Sequence, residues 1–400
     1  MKFNFFKKER IHLDYASTTP VAPEVLKAMQ PYFNDVWANP SAIYAEGVTA
    51  RRAIEDARTA LSRTLRIRSE DITFVSGGTE ANNLALIGLV ESQKKTGRTY
   101  ESMEIISTRI EHPSILETLQ YLKEQGVQIT YVSVDDEGSI DVNQLETLLR
   151  KETVLLTFAY VNSEIGVVQN VKAITRAVRK WNDTHEGSIL THLDASQAPL
   201  WLSLEMDMLG VDMMTLDAGK CYGPKGIGVL ARRHKVTLVP HMHGGGQERG
   251  LRSGTENTAL IVGCATSIIR AQKGHEARSL AVAKLRDEFL ERLFTEIPHT
   301  IANGSRTSRV ANNVNISIPG LDSEYAVIWL DAKGVACATR SACGIHGKDG
   351  SEVVREMTKD ESRARSTIRF TLGEASTEKD IERAVQVLKE HVLLMERDRE

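Results

Sequence analysis

The sequence lacks the features that mark several classes of protein. Its 400 residues carry a formal net charge of only −3, whereas a nucleic-acid-binding domain normally shows a basic face or stripe. The longest apolar run, at 154–161, has the length of a strand and falls far short of the ~20 residues that a membrane helix needs. The charged N-terminus has no apolar segment or small-residue cleavage site, so we expect no signal peptide. These absences predict a globular, cytoplasmic protein without a nucleic-acid or membrane partner.

Cysteine is also scarce, and the few cysteines lack any CxxC spacing. They are Cys221, Cys264, Cys337 and Cys343. In a chain of this length without an export signal, we expect reduced thiols and no disulfide framework. A pair of histidines at 241 and 243 has no third ligand at a suitable spacing, so we expect no metal site.

The sequence does contain an alternation of strand and helix patterns. β-rich runs occupy 71–75, 103–107, 127–132, 154–160 and 188–193, and segments with apolar residues at helical spacing lie at 81–90, 115–122, 142–149 and 171–181. This alternation is typical of a parallel sheet with crossover helices. The apolar character of the strand runs fits a sheet buried on both faces. We therefore predict an α/β fold with a mostly parallel sheet.

The pattern changes after Leu251. A long helical stretch covers 256–297 with an interruption near Gly274, and later strands are mixed with helices. The strands are predicted at 313–318 and 367–371, and the helices at 323–333, 351–357 and from 377 onward. Because the alternation is no longer strict, this part predicts a smaller α+β domain. We assign residues 15–260 to a large domain, and residues 1–14 and 261–400 to a small one.

Lys220 stands in a glycine-rich segment after an apolar run. Residues 219–228 read GKCYGPKGIG, and such glycines let the backbone approach a ligand closely. The apolar run at 211–216 predicts a strand, and open α/β sheets bind ligands at the carboxyl ends of their strands. Lys220 is therefore a candidate Schiff-base lysine. The alternative is a surface lysine in a turn.

Asp194 and residues 76–83 supply two further candidate parts. Asp194 ends the β-rich run before Lys220, where a carboxylate can pair with the pyridine nitrogen of pyridoxal phosphate or simply cap a turn. In SGGTEANN, at 76–83, a strand runs through two glycines into a helix. The N–H groups at such a helix start can bind phosphate, although a plain helix cap has the same pattern. Together the three parts indicate a pyridoxal phosphate site.

The sequence resembles the cysteine desulfurases of the NifS/IscS type, which are class V aminotransferase-like enzymes of pyridoxal phosphate fold type I. The resemblance covers nearly the whole chain and implies a large domain with a mostly parallel, seven-stranded type of sheet. The matching motifs are LDYASTTP (13–20), NPS (39–41), SGGTEANN (76–83), EH (111–112), NSEIG (162–166), HLDASQ (192–197), GKCYGPKGIG (219–228), HMHGGGQERGLRSGTEN (241–257), SAC (341–343) and TIRF (367–370).

The resemblance implies a role for each residue around the cofactor ring. Lys220 would carry pyridoxal 5'-phosphate as an imine, and Asp194 would pair with the ring nitrogen. Gln197 would bond the phenolic oxygen. His112 would stack on the ring and transfer protons.

The resemblance also implies which residues hold the phosphate. Gly78 and Thr79 would donate to it, and Thr255 would reach the phosphate of a neighbouring subunit, which implies a homodimer. The sequence departs from the family pattern at Tyr44, where the family often has a histidine, and at the phosphate, because Asp217 and Gly219 stand where the family has a serine and a histidine that donate to the phosphate. An ionised carboxylate cannot donate, so Asp217 either points elsewhere or is compensated by a positive group.

The remaining implied roles concern the substrate, L-cysteine. Arg369 would hold its carboxylate with two parallel donors, with Asn39 and Asn162 nearby. Ser163 replaces a second asparagine of the family near the cofactor. Cys343 would be the nucleophile that takes the sulfur, leaving an enzyme persulfide and L-alanine.

The residues around Cys343 agree with that role. Glycines follow it at 344, 347 and 350, and basic residues stand at 340, 346 and 348, which suits a pliant loop and a thiolate. A buried core thiol is the alternative, and we expect it for the other three cysteines. The persulfide would pass to an acceptor protein such as an iron–sulfur scaffold, or serve tRNA thiolation. The rival functions are a selenocysteine lyase, another class V lyase or transaminase, and a catalytically weak sulfur-relay partner.

Overall fold

A computed structural model describes residues 10–339 and 350–397 of the chain. The strands are β1 (Ile11–His12), β2 (Ile72–Val75), β3 (Glu104–Ser107), β4 (Gln128–Tyr131), β5 (Thr153–Ala159), β6 (Leu190–Asp194), β7 (Met213–Asp217), β8 (Gly228–Arg232), β9 (Ile301–Ala302), β10 (Asn313–Ser317), β11 (Val335–Ala336) and β12 (Thr367–Thr371).

The helices are α1 (Pro23–Met29), α2 (Pro31–Asn34), α3 (Ala45–Leu65), α4 (Gly78–Lys95), α5 (Pro113–Glu124), α6 (Val142–Leu148), α7 (Val171–His185), α8 (Met206–Leu209), α9 (Thr258–Gln272), α10 (His275–Glu296), α11 (Ser323–Ala332), α12 (Glu352–Thr358), α13 (Glu361–Arg365) and α14 (Glu378–Arg397). Within the described ranges, no helix combines the length and the apolar character that a bilayer crossing requires.

Seven strands form the central sheet in the order β2-β8-β7-β6-β5-β3-β4. The five strands from β7 to β4 run parallel to one another, whereas β8 runs antiparallel to both of its neighbours. Strands β2 and β3 are buried along their whole length, as the apolar runs predicted. The α/β class and the mostly parallel sheet are therefore confirmed. Strand β8 begins at the end of the glycine-rich segment, and the sequence did not predict it.

Two smaller sheets accompany the central one. Strands β12, β10 and β9 form an antiparallel sheet, and β1 pairs in parallel with β11. The helical stretch predicted at 256–297 is confirmed as α9 and α10. They separate at Gly274, whose φ of 73° lies in the left-handed region that glycine adopts without steric cost. The later strands and helices are confirmed at β10, β12, α11, α12 and α14.

One edge of the central sheet gathers the ends of several elements. Strands β6 and β7 are adjacent and parallel, and they end at Asp194 and Asp217. Helices α4 and α5 begin shortly after β2 and β3 end. Because these strands run in the same direction, their carboxyl ends lie at one edge, which is where open α/β sheets bind ligands.

Candidate active site

A cavity of about 210 Å³ opens at this edge of the sheet. Most of the residues predicted for the site line it, although they come from widely separated parts of the sequence. They are Gly78, Thr79, His112, Asn162, Ser163, Asp194, Gln197, Asp217, Lys220 and Arg369. The structure therefore brings the predicted ring-binding, phosphate-binding and carboxylate-binding groups into one place.

Lys220 ends a short 3-10 turn (Ala218–Lys220) that follows β7 directly. Its Nζ donates hydrogen bonds to the carbonyl oxygens of Ala16, at 3.0 Å, and of Ser17, at 2.5 Å. These bonds keep the amine against the cavity wall. Lys220 lies in a turn, as the alternative predicted, but it is partly buried and lines the cavity, which favours the Schiff-base candidate.

Asp194 is buried at the end of β6, with 8% of its surface exposed. Its Oδ2 accepts from Asn82 Nδ2 at 2.8 Å, and its Oδ1 accepts from the Ser196 backbone N–H at 3.0 Å and from the Ser196 hydroxyl at 2.6 Å. Donors on both oxygens fix the orientation of the carboxylate. Gln197, next along the chain, donates from Nε2 to the carbonyl oxygen of Ala16 at 2.9 Å.

Glu111 is a second buried carboxyl near Asp194. Burial raises the pKa of Glu111 to about 8, and the negative charge of Asp194 acts in the same direction. One oxygen of Glu111 accepts from the hydroxyl of Thr108 at 2.6 Å. Glu111 is therefore largely protonated at neutral pH.

His112 caps the N-terminus of α5. Its Nδ1 accepts from the backbone N–H of Ser114 at 3.1 Å. Burial lowers the pKa of His112, and the charge of Asp194 opposes that shift only in part. The ring is therefore neutral at neutral pH. Because Nδ1 accepts, the ring proton lies on Nε2, and His112 can give or take a proton there.

The carboxylate of Asp217 lies at the N-terminus of α4. Asp217 Oδ2 accepts from the backbone N–H of Gly78 at 3.1 Å, and its Oδ1 accepts from the backbone N–H of Gly219 at 2.8 Å. Thr79 is the second residue of α4 and lines the same cavity. Asp217 therefore points into the predicted phosphate cradle. The other possibility, that its side chain points elsewhere, is wrong.

Arg369 lies on β12 and is almost wholly buried, with 2% of its surface exposed. Its guanidinium donates to the Ser163 carbonyl oxygen at 2.9 Å, to Asp14 Oδ1 at 2.8 Å and to the Ser17 hydroxyl at 3.1 Å. Its Nε is buried and has no hydrogen-bond acceptor among the described residues. A substrate carboxylate that binds here must compete with Asp14 for the guanidinium.

Asn162 is engaged with the backbone around it. Its Oδ1 accepts from the N–H groups of Glu164, at 2.9 Å, and Ile165, at 3.0 Å, and its Nδ2 donates to the Ile110 carbonyl at 2.7 Å. The side chain thus fixes the turn that places the Ser163 carbonyl beside Arg369. Asn162 lines the cavity, but its amide already has protein partners.

Three predicted site residues do not line this cavity. Asn39 is exposed, and its Oδ1 accepts from the backbone N–H of Ser41 at 2.9 Å. Thr255 is also exposed and lines a separate cavity with Ser76 and Arg252. Cys343 lies outside the described residues.

Two of the other three cysteines fit the expectation of core thiols, whereas Cys337 is only partly buried. Cys221 and Cys264 are fully buried. Burial raises the pKa of the Cys221 thiol to about 12 and also raises the pKa values of Cys264 and Cys337. These thiols are therefore protonated at neutral pH and poor nucleophiles. In the part of the chain that the structure describes, no cluster of metal-binding side chains is found.

Sequence reasoning missed several residues that build the site. Asn82 and Ser196 orient Asp194, Ser114 contacts His112, and Asp14 and Ser17 contact Arg369. All except Ser114 lie inside motifs that carry the resemblance. Their position in those motifs was the available signal, but their partners are distant in sequence and only the fold reveals them.

Comparisons with known proteins agree with this geometry. Residues 11–384 match the family described as "Aminotransferase class-V". The "Cysteine desulfurase IscS" of Dictyoglomus turgidum is 35% identical over 382 residues, which are 96% of this chain and 94% of that protein. A solved structure titled "NIFS-LIKE PROTEIN" matches with a TM-score of 0.88 and 30% identity, over 96% of this chain and 100% of its own.

A second solved structure is titled "SspA in complex with cysteine". It matches with a TM-score of 0.77 and 32% identity, over 92% of this chain and 100% of its own. These likenesses span nearly the whole chain, as do the motifs that predicted them. The chain therefore belongs to the class V aminotransferase family and, within it, to the cysteine desulfurases of the NifS/IscS type.

Proposed function

We propose that this chain is a pyridoxal phosphate-dependent cysteine desulfurase that converts L-cysteine to L-alanine and holds the sulfur as a persulfide on Cys343. The observation that carries the proposal is that Lys220, just after β7, and Asp194, at the end of the neighbouring parallel strand β6, line one cavity. The likeness to an IscS desulfurase and to a structure of SspA with cysteine supports L-cysteine as the substrate.

The residues present suit this cofactor at its ring. Lys220 Nζ is the amine that would hold its aldehyde carbon, and the carboxyl group of Asp194, which hydrogen bonds hold in place, would pair with its ring nitrogen. His112 would stack on the ring, and Gln197 would contact its phenolic oxygen. When bound, the cofactor withdraws electrons from the carbon atoms of an attached amino acid. The phosphate end fits less well, because Asp217 occupies the amide of Gly78.

The chain's own groups supply binding and proton transfer. Arg369 would bind the substrate carboxylate in exchange for Asp14. The amine of Lys220 would accept the α-proton of the substrate. The thiolate of Cys343 would attack the substrate sulfur, so that an S–S bond forms as the Cβ–S bond breaks. The Cβ atom then takes one proton, the α-carbon regains a proton from the amine of Lys220, and the product leaves as alanine.

The position of the described residues that precede Cys343 supports this role for its thiol. Ala338 pairs with Arg369 through two backbone hydrogen bonds, of 3.0 and 2.7 Å. Cys343 follows Ala338 by five residues, and five residues of chain span at most about 17 Å. A thiol tethered there can approach a substrate bound at Arg369.

We further propose a homodimer in which the exposed Thr255 faces the partner's phosphate, and Asn39 lies near the substrate. We also propose that residues 15–260 form the large domain and that residues 1–14 and 261–400 form the small domain that carries Cys343. The persulfide would be delivered to a sulfur-acceptor protein such as an iron–sulfur scaffold.

The test is addition of pyridoxal phosphate followed by L-cysteine. The loaded protein should absorb at about 420 nm, as a lysine imine of this cofactor does, and borohydride should fix the cofactor on Lys220. Lys220→Ala should lose the band and alanine formation. Lys225→Ala is the matched control, because Lys225 lies in the same glycine-rich segment and donates to the Thr19 carbonyl at 2.7 Å. A wild-type protein that never develops the band would contradict the proposal.

A further inference from the structure

The carboxylate of Asp217 sits where a cofactor phosphate would be expected. Helix α4 spans 18 residues, and the N–H groups at the start of such a helix attract anions. The first of these, on Gly78, donates to Asp217 Oδ2 at 3.1 Å. Thr79 follows at once, and Lys220 lies three residues after Asp217 and lines the same cavity.

The position of Asp217 is fixed from two sides. Its backbone ends β7, and its Oδ1 accepts from the N–H of Gly219 at 2.8 Å. A Cβ atom on Gly78 would lie 3.4 Å from Oδ2 and 3.1 Å from the hydroxyl of Ser196, so the carboxylate packs closely on the first turn of α4. The two hydrogen bonds together make Asp217 an N-terminal cap supplied by a different element of the fold.

A nearby positive charge is already neutralised. Arg252 Nε lies 3.1 Å from Glu80 Oε1, and Glu80 Oε2 accepts from the backbone N–H of Ser76 at 2.7 Å. Arg252 is thus paired with a carboxylate of the same first turn of α4. A phosphate entering this turn would meet the negative charge of Asp217, while Arg252 is engaged by Glu80, and like charges at such short distance repel strongly.

We propose that Asp217 competes with the cofactor phosphate for the amide of Gly78, so that this site distinguishes only weakly between pyridoxal phosphate and unphosphorylated pyridoxal. The inference rests on the proposed function, because it assumes that the cavity takes a pyridoxal compound. It assigns to Asp217 a role in cofactor specificity and none in the chemistry at the substrate.

The experiment compares the dissociation constants of pyridoxal phosphate and pyridoxal by absorbance titration. Wild type should bind the two within about tenfold of each other. Asp217→Ser and the isosteric Asp217→Asn should each tighten pyridoxal phosphate by about tenfold or more and leave pyridoxal within about twofold. Asp207→Asn is the matched control, because Asp207 is half exposed and pairs with Arg233 on the surface. It should change neither constant.

Several outcomes overturn the inference. One is a wild-type protein that binds pyridoxal phosphate about 1,000-fold more tightly than pyridoxal. This outcome is measured on the wild type alone. Another is an unchanged ratio of the two constants in both Asp217 variants, and a third is equal tightening of both ligands, which would indicate a wider pocket. Binding of pyridoxal by the same variants reports that the pocket is intact. If neither compound reacts with Lys220 in the wild type, the proposed function itself fails, which is a separate result.

Discussion

The buried ion pair between Arg58 and Glu248 gives the sharpest prediction about stability. Both side chains are 3% exposed, and the guanidinium donates to the two carboxylate oxygens at 2.8 Å each. Glu248 also accepts from the backbone N–H of Phe74 at 2.9 Å. The pair therefore joins α3, the loop before α9, and the strand β2 that leads into the phosphate cradle.

Glu248→Gln keeps the shape of the side chain and removes its charge. Burial disfavours the charge on Arg58, yet the hydrogen bonds and charge of Glu248 outweigh that effect and raise the pKa of the guanidinium. Without the Glu248 carboxylate, the buried cation keeps only the half-exposed Glu55 as an anionic neighbour. Breaking a buried pair in this way costs about 3–5 kcal/mol, and we expect a loss of that size in the free energy of unfolding.

The control is Glu55→Gln. Glu55 also contacts Arg58, at 3.2 Å, but its side chain is 47% exposed, and exposed pairs contribute about 0–1 kcal/mol. Urea unfolding followed by circular dichroism measures both variants against wild type. The reasoning is refuted if Glu248→Gln destabilises the protein no more than Glu55→Gln does.

Two further predictions concern the carboxyl groups beside the cavity. Burial raises the pKa of Glu111 from 4.5 to about 8, so the folded state retains a proton that the unfolded state releases between these values. The free energy of unfolding should therefore fall as pH rises through this window, by up to about 1.4 kcal/mol per pH unit. Urea unfolding of Glu111→Gln should show a weaker dependence of this free energy on pH. A dependence equal to that of the wild type would contradict the prediction. Asp194→Asn removes the proposed partner of the ring nitrogen. The variant should therefore no longer exchange the α-proton of alanine with deuterated solvent, which NMR can detect. Normal exchange would mean that another carboxylate has this role.

The sequence predicted the helices and strands that have a distinct local pattern of apolar residues. Parallel strands buried on both faces, such as β5, appear as continuous apolar runs, and α10 begins directly after Gly274, which breaks the helical pattern. Strand β8 was missed because its short run follows the glycine-rich segment and its direction leaves no local signal.

The site was predictable in part, for a similar reason. The chain order of the motifs placed Lys220 and Asp194 at one sheet edge, because neighbouring parallel strands end on the same side. The contact of Asp14 with Arg369 joins residues 355 positions apart, and no local pattern predicts it. The sequence showed that Asp217 departs from the family, but only the structure shows that its carboxylate reaches the Gly78 amide.

The measurement that tests the central claim most directly is mass spectrometry of the cofactor-loaded protein after treatment with L-cysteine. The account predicts a gain of about 32 Da, one sulfur atom, on Cys343, together with free alanine. Cys343→Ser should bind L-cysteine and form no persulfide, whereas Cys221→Ser, with a buried thiol, should retain the adduct. An adduct on another cysteine, or full desulfuration by Cys343→Ser, would contradict the account.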